Sequence, residues 1–275
     1  MRVRPHLLLV IALAVPTRTG AQTAFFDQIT QTEGLPAEQV LCLHQTPDGF
    51  VWIGTENGLA RHEGNAIRVF HSDRTDPHSL PNEQVQDIVS DAQGRLWFAT
   101  AGGIARYRRQ TGDFDRYFIH AEGVADVLAD RVSDLLPEPD GSGLWAITEA
   151  GLYRVTTSDG HAEPMDEAMN ASGGVAKVFR HSVVADSIRQ GVWFGTEHGL
   201  RFFDRRTGSF FGPKHDPQAW NCFHEGPASC PNMAADGAIW YFDIDARELV
   251  RILPGTTDVQ RWPAFRTRPY AYTPQ

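Results

Sequence analysis

Short apolar runs separated by Asp-Gly and Gly-rich turns recur along this chain at an interval too long for a single element and too regular for chance. The clearest run is GFVWIGTENGL at residues 49–59, which returns as GRLWFATAGGI (94–104), GLWAITEAGL (143–152) and GVWFGTEHGL (191–200). The tryptophans are Trp52, Trp97, Trp145 and Trp193, and six residues after each stands Gly58, Gly103, Gly151 or Gly199. Upstream of the first three tryptophans lie the valine segments 40–44, 85–89 and 132–136. Within a unit, β-branched and aromatic residues fill runs of four to six, as strands require, and Asp and Gly fill the breaks between them. Asp bonds its own backbone in a turn and Gly tolerates positive φ.

Each unit therefore reads as four strands: the valine segment, the tryptophan strand, a strand opening at Leu59, Ile104, Leu152 or Leu200, and an aromatic strand such as 67–70, 114–118 or 209–211. Four antiparallel strands in a repeat of about 45 residues form the blade of a β-propeller. The expected fold is all-β, with four clear blades and one degenerate blade at 218–252. The ring is either five-bladed or incomplete. In the fourth unit the first strand falls within 175–185, after a loop at 170–174. Trp240 lies 47 residues after Trp193, but 239–252 aligns better with 200–211. That alignment puts Asn232 in the tryptophan position and Trp240 one strand later. Residues 258–275 are an irregular tail or the start of a missing blade, and 25–29 is a candidate closing strand. The recurrent tryptophans are expected to fill the space between blades.

Residues 1–21 read as a signal peptide: Arg2 and Arg4 precede an apolar run at 7–15 and a small-residue Thr19-Gly20-Ala21 site. The apolar run is shorter than a bilayer span. The propeller then occupies 22–257. Losing Arg2, Arg4 and Arg18 moves the formal net charge from −9 to −12. That balance argues against nucleic acid and anionic membranes as partners. An exported chain meets an oxidising compartment, so a Cys222–Cys230 disulfide is expected, with Cys42 a buried free thiol. A metal cluster of His215, Cys222, His224 and Cys230 is the sharper alternative, but its spacing matches no common zinc pattern. No metal or cofactor is expected.

Candidate chemistry follows the repeat. Four residues after each tryptophan stand Glu56, Ala101, Glu149 and Glu197. Glu56, Asn57, Glu149, Glu197 and His198 are therefore placed on one face as candidate ligand-binding residues; a turn's ordinary preference for polar residues explains them equally well. Arg61, Arg106 and Arg154 recur nine residues after their tryptophans, as interblade or surface groups. No HExxH, GxSxG, phosphate-loop or dinucleotide-binding signature is present.

The pattern V…D-x-G…W-I-G-T…G-L…R over 40–61, with the lead-in GLP or SLP and the spacer DPHSLPNEQV (76–85), resembles the two-component regulator propeller repeat of bacterial sensors. The resemblance covers 25–155 and 175–211. It implies an exported, periplasmic sensing region that precedes a small β-sandwich, a membrane helix and a kinase, cyclase or DNA-binding output domain. Members of that family carry more blades, often seven or fourteen. By this resemblance the chain is the N-terminal part of such a receptor, or a shortened stand-alone relative. It would be non-catalytic, periplasmic or secreted, and tethered where a C-terminal membrane helix follows. Its partners would be a small carbohydrate or peptide ligand and an output domain in the same polypeptide, with homodimerisation open. The alternatives are a lyase or glycoside-acting propeller using Glu56, Glu149 and Glu197, and a periplasmic interaction scaffold.

Overall fold

The computed structural model describes residues 28–119, 128–172, 177–216, 220, 222–254 and 258–263. The signal peptide, residues 25–27 of the proposed closing strand and the tail beyond 263 lie outside them. Within them the chain forms five four-stranded antiparallel sheets, each in sequence order. Blade 1 is β1 (Val40–Gln45), β2 (Val51–Thr55), β3 (Gly58–His62) and β4 (Ile67–Phe70). Blade 2 is β5 (Val85–Ser90), β6 (Leu96–Thr100), β7 (Gly103–Arg108) and β8 (Asp113–Tyr117). Blade 3 is β9 (Val132–Pro137), β10 (Gly143–Thr148), β11 (Leu152–Thr156) and β12 (Ala162–Pro164). Blade 4 is β13 (Val178–Asp186), β14 (Gly191–Thr196), β15 (Gly199–Asp204) and β16 (Ser209–Phe211). Between blades 3 and 4 a short helix, α1 (Asp166–Ala171), occupies part of the stretch expected to be a loop.

Blade 5 corrects the sequence alignment. Its strands are β17 (Ala228–Met233), β18 (Ile239–Asp243), β19 (Glu248–Ile252) and β20 (Val259–Pro263). Trp240 pairs with Asn232 on one side and Arg251 on the other. Trp97 is held in the same way between Val89 and Arg106. Trp240 thus stands in the tryptophan strand, Asn232 in the first strand, and the blade reaches Pro263, past the expected end at 252 and into the supposed tail. The misalignment has a physical cause. In blade 1 the second hairpin closes with Thr55 opposite Gly58, whereas in blade 5 Asp243 lies opposite Glu248. Two extra residues displace the glycine position, and Arg247 takes the left-handed φ of 53°.

The first strands line the inside, with β1 packed on β5, β5 on β9, β9 on β13 and β13 on β17. The tryptophan face of each blade is covered by the next. Trp52, Trp97, Trp145 and Trp193 are all fully buried, in clusters shared with blades 2, 3, 4 and 5 respectively. The series is open among the described residues. Leu43 on β1 is 65% exposed and Trp262 on β20 is 42% exposed. The lead-in leucines act as wedges: Leu80 is fully buried against Trp52 and Phe70, and Leu35 covers Ile53 and Ala60.

Two small devices hold the blades, the first in blades 1 to 4 and the second in blades 2 and 4. A threonine three residues after the tryptophan closes the second hairpin, with Thr100 Oγ1 donating to Gly103 O at 2.7 Å and accepting from Gly102 N at 3.2 Å. Thr55, Thr148 and Thr196 repeat this geometry. Gly103 itself has φ 126°, and a Cβ there would lie 2.8 Å from Tyr117 O, so the residue must be glycine. The first turn supplies the second device: Trp97 Nε1 donates to Asp91 Oδ2 at 2.8 Å and Trp193 Nε1 to Asp186 Oδ2 at 2.9 Å.

Candidate functional site

The proposed carboxylate positions are structurally equivalent. The backbone N–H of Glu56, Ala101, Glu149 and Glu197 donates to the carbonyl of Gln39, Gln84, Arg131 and Lys177 respectively. Ile244 occupies the fifth position, donating to Pro227. Each acceptor is the residue directly before an inner strand, so the second hairpins and the starts of β1, β5, β9, β13 and β17 form one face.

Equivalence does not make a shared site. Glu149 borders a cavity of about 520 Å³ over blades 2, 3 and 4. Glu56 and Asn57 border a separate depression with Gln31 and Glu38, while Glu197 and His198 are exposed and line neither. The cavity is built chiefly by the inner strands and the residues that lead into them. Gln84 and Gln86 come from blade 2, Arg131 and Ser133 from blade 3, and Lys177 and Arg180 from blade 4. Its floor is the buried apolar trio Val132, Ile147 and Val178. An apolar floor under a ring of polar groups, at this volume, is the usual anatomy of a small-molecule site.

Beside Gln86 and Ser133, and just beyond Arg180, stand residues that tie two blades together. Next to Gln86, Asp87 accepts a hydrogen bond from Leu135 N of blade 3 at 3.0 Å. Next to Ser133, Asp134 accepts from His181 N of blade 4 at 2.9 Å and pairs with His181 Nδ1 at 2.7 Å. Beyond Arg180, Ser182 Oγ accepts from Cys230 N of blade 5 at 2.9 Å. His181 and Cys230 both have φ 53° at bulges in β13 and β17, where extra residues, three in β13 and one in β17, re-aim the strand. Burial, helped by the negative charge of Asp134, pushes the Asp87 carboxyl up despite the hydrogen bond from Leu135. The link between blades 2 and 3 thus carries an energetically costly carboxylate. None of these linking groups was picked out from sequence. A signal for the cavity existed: the residue before Val40, Val85 and Val132 is Gln39, Gln84 and Arg131.

The cysteines correct a further expectation. Cys222 and Cys230 are free thiols: Cys222 is buried in the cluster under Trp193, whereas Cys230 is exposed on the inner strand of blade 5. Cys42 is a partly buried free thiol whose Sγ donates to Val85 O at 3.6 Å. No cluster of metal-ligating side chains occurs among the described residues, and none of their helices is long and apolar enough to cross a membrane. Two of the recurrent arginines serve the tryptophans, while Arg154 pairs with Glu138 at 3.7 Å. Arg61 lies over Trp52 and donates to Tyr107 Oη of the next blade at 2.8 Å, and Arg106 lies over Trp97 while pairing with Asp115.

The sequence profile of the two-component regulator propeller matches residues 34–57 and 79–102, the lead-in and tryptophan strand of blades 1 and 2. No curated protein matches the chain. Among solved structures, it resembles the extracellular domain of BT3049 from B. thetaiotaomicron, described as a hybrid two component system, at 20% identity and a TM-score of 0.65, over 85% of this chain and 31% of that one. The extracellular domain of BT4673 from B. thetaiotaomicron, described as a one component system, gives 22% identity and a TM-score of 0.60, over 82% and 31%. A virginiamycin B lyase from Staphylococcus aureus gives 18% identity and a TM-score of 0.55, over 82% and 69%. The chain spans about a third of the length of the two extracellular domains. At these identities the likeness is one of fold, and the fold is a propeller.

Proposed function

We propose that this chain is the ligand-binding sensory input region of a bacterial signal-transduction receptor, exported through residues 1–21 and acting outside the cytoplasm. Its ligand, a small carbohydrate or peptide, is bound in the cavity over blades 2–4. The output, phosphotransfer or cyclic dinucleotide synthesis, lies in domains beyond these residues. The observation that carries this reading is the closeness along β5, β9 and β13 of cavity-lining and blade-linking residues: Gln86 beside Asp87, Ser133 beside Asp134, and Arg180 two residues before Ser182. A ligand shifts an equilibrium only by its differential affinity for two states. Groups seated on the interblade hydrogen bonds are well placed to feel a change in blade angle. The match to the two-component regulator propeller at 34–57 and 79–102 supports the same reading.

The test is a thermal-shift screen of the purified chain against mono- and oligosaccharides and dipeptides. A ligand at one hundred times its Kd adds about 2.7 kcal/mol of stability. The expected outcome is a hit that is recovered unchanged after incubation and loses its shift in a Gln84→Ala/Gln86→Ala variant. Conversion of the hit to product, abolished by Glu149→Gln, would overturn the sensor reading in favour of an enzyme.

A further inference from the structure

We infer that the cavity over blades 2–4 selects an anionic ligand, a small polar molecule bearing a carboxylate. The inference rests on the reading of that cavity as the ligand site and adds the chemistry of what enters it. The chain as a whole is acidic, with a formal net charge of −9. Yet the charged groups lining this cavity are Arg131, Lys177 and Arg180 against Glu149 alone. The positive charge is introduced position by position. The residue before each inner strand is Gln39, Gln84, Arg131, Lys177 and Pro227 in blades 1 to 5, so it becomes cationic only in blades 3 and 4.

The fold does not consume these charges. Lys177 is exposed and its ammonium has no hydrogen-bond or ion-pair partner among the described residues. Arg180 is exposed and donates only to a neutral acceptor, Gln86 Oε1, at 2.5 Å. Arg131 reaches Glu149 at 3.3 Å with both side chains half exposed, a contact of the kind that is readily exchanged. A second basic hollow on the molecule differs on this point. Arg95, Arg106, Arg108 and Arg109 line it, and each is paired, with Asp91, Asp115, Asp113 and Asp48 respectively. Of these two basic hollows, the one over blades 2–4 is where cationic charge converges with hydrogen-bonding capacity to spare. Guanidinium groups match a carboxylate in a two-point fork. The apolar floor of Val132, Ile147 and Val178 suits the face of a ring or an aliphatic backbone. Glu149 then acts as the internal competitor that a ligand carboxylate displaces from Arg131.

The experiment uses the purified chain and matched probes that differ only in the acid: D-galacturonate against D-galactose, and N-acetylglycyl-glutamate α-amide against N-acetylglycyl-glutamine α-amide. The two pairs separate an acidic sugar from an acidic peptide as the source of the carboxylate. Calorimetric titration at low and high salt is expected to show one acidic probe bound at least about tenfold more tightly than its neutral partner. That preference should shrink as screening shortens the reach of the charges. Lys177→Gln and Arg180→Gln should each weaken the acidic probe several-fold, and Glu149→Gln should tighten it. These side chains are exposed, so unchanged melting temperatures will separate loss of binding from loss of folding. Neutral probes bound as tightly as acidic ones, with Gln84→Ala/Gln86→Ala abolishing both, would overturn the anionic selectivity and leave the cavity standing. Acidic probes bound equally by wild type and every cavity variant would overturn the cavity itself. Absence of binding by both acidic probes at millimolar concentration would overturn the inference.

Discussion

Blade 2 and blade 5 have the same hydrogen-bonded architecture and nearly opposite surroundings. In blade 2, Trp97 is wholly buried, its N–H is taken by Asp91, Arg106 lies over its ring and blade 3 covers it. In blade 5, Trp240 occupies the same register but is only partly buried, stacked at 5.2 Å on Trp262 with Arg251 over its ring. The turn position held by Asp91 is Ala234, which closes the same turn through its backbone. The comparison separates two things that the repeat normally delivers together. Strand pairing belongs to the blade itself, whereas burial of the tryptophan belongs to its neighbour. A blade can therefore form its sheet without the complete tryptophan motif, and the motif reports on the interface that follows it.

Truncation of the two tryptophans gives the largest contrast. Trp97→Ala should cost about 3–5 kcal/mol, because a buried indole leaves a cavity that its surroundings fill poorly. Trp240→Ala removes a ring already in contact with water and should cost roughly 1 kcal/mol or less. Denaturant melts of the two variants measure this directly. Equal losses would mean that blade 5 presents a covered face in solution, and the contrast between the blades would fail.

How much of this was legible follows from the same pair of blades. The propeller was visible because four tryptophans keep a period near 45–48 residues and each glycine keeps its six-residue offset. Blade 5 kept the tryptophan period and lost the glycine offset to the longer hairpin of residues 244–247. Aligning 239–252 with 200–211 in preference to the tryptophan period produced the wrong register for Trp240. The equivalence of Glu56, Ala101, Glu149 and Glu197 was readable, since it depends on local spacing alone. The cavity was not, because it forms where residues 46 to 48 positions apart on separate blades converge, and polar inner-strand residues such as Gln86, Ser133 and Arg180 resemble ordinary strand polarity. The links Asp87, partly buried, and Asp134, buried, were hidden for the same reason. The disulfide was inferred from compartment and proximity in sequence, but Cys222 is committed to the core beneath Trp193 and Cys230 faces outward.

The Asp91 clip sharpens the comparison at intermediate size. Burial raises this carboxyl, but hydrogen bonds from the Trp97 indole, the Arg95 amide and the Arg95 guanidinium outweigh it and hold it below the usual range. A carboxyl depressed on folding contributes stability that is present above its unfolded value, near 4, and is lost as pH falls through its folded value. Asp91→Asn should therefore cost about 1–3 kcal/mol at neutral pH, with the difference from wild type narrowing as the pH is taken below about 4. Ala234→Asp in blade 5 should gain little, because no buried indole awaits it. A pH-independent loss in Asp91→Asn would show that the ionised carboxylate is not what holds Trp97.

The thiols give the smallest effect. Burial, with the charge of Asp216, pushes the Cys222 thiol up to about 12, and burial with the charge of Asp87 does the same to Cys42. Both should resist alkylation in the native protein at pH 8, because the thiolate is the reactive form. Cys230, exposed on the inner strand of blade 5, should be modified rapidly and stoichiometrically. Reductant should leave the melting temperature unchanged, since there is no crosslink to break. A non-reducing mass two hydrogens below the reduced chain, with a melt that falls on reduction, would place Cys222 and Cys230 in a disulfide. It would also require the Cys222 segment to leave the apolar cluster under Trp193, removing cover from the tryptophan of blade 4 and bringing its surroundings closer to those of Trp240.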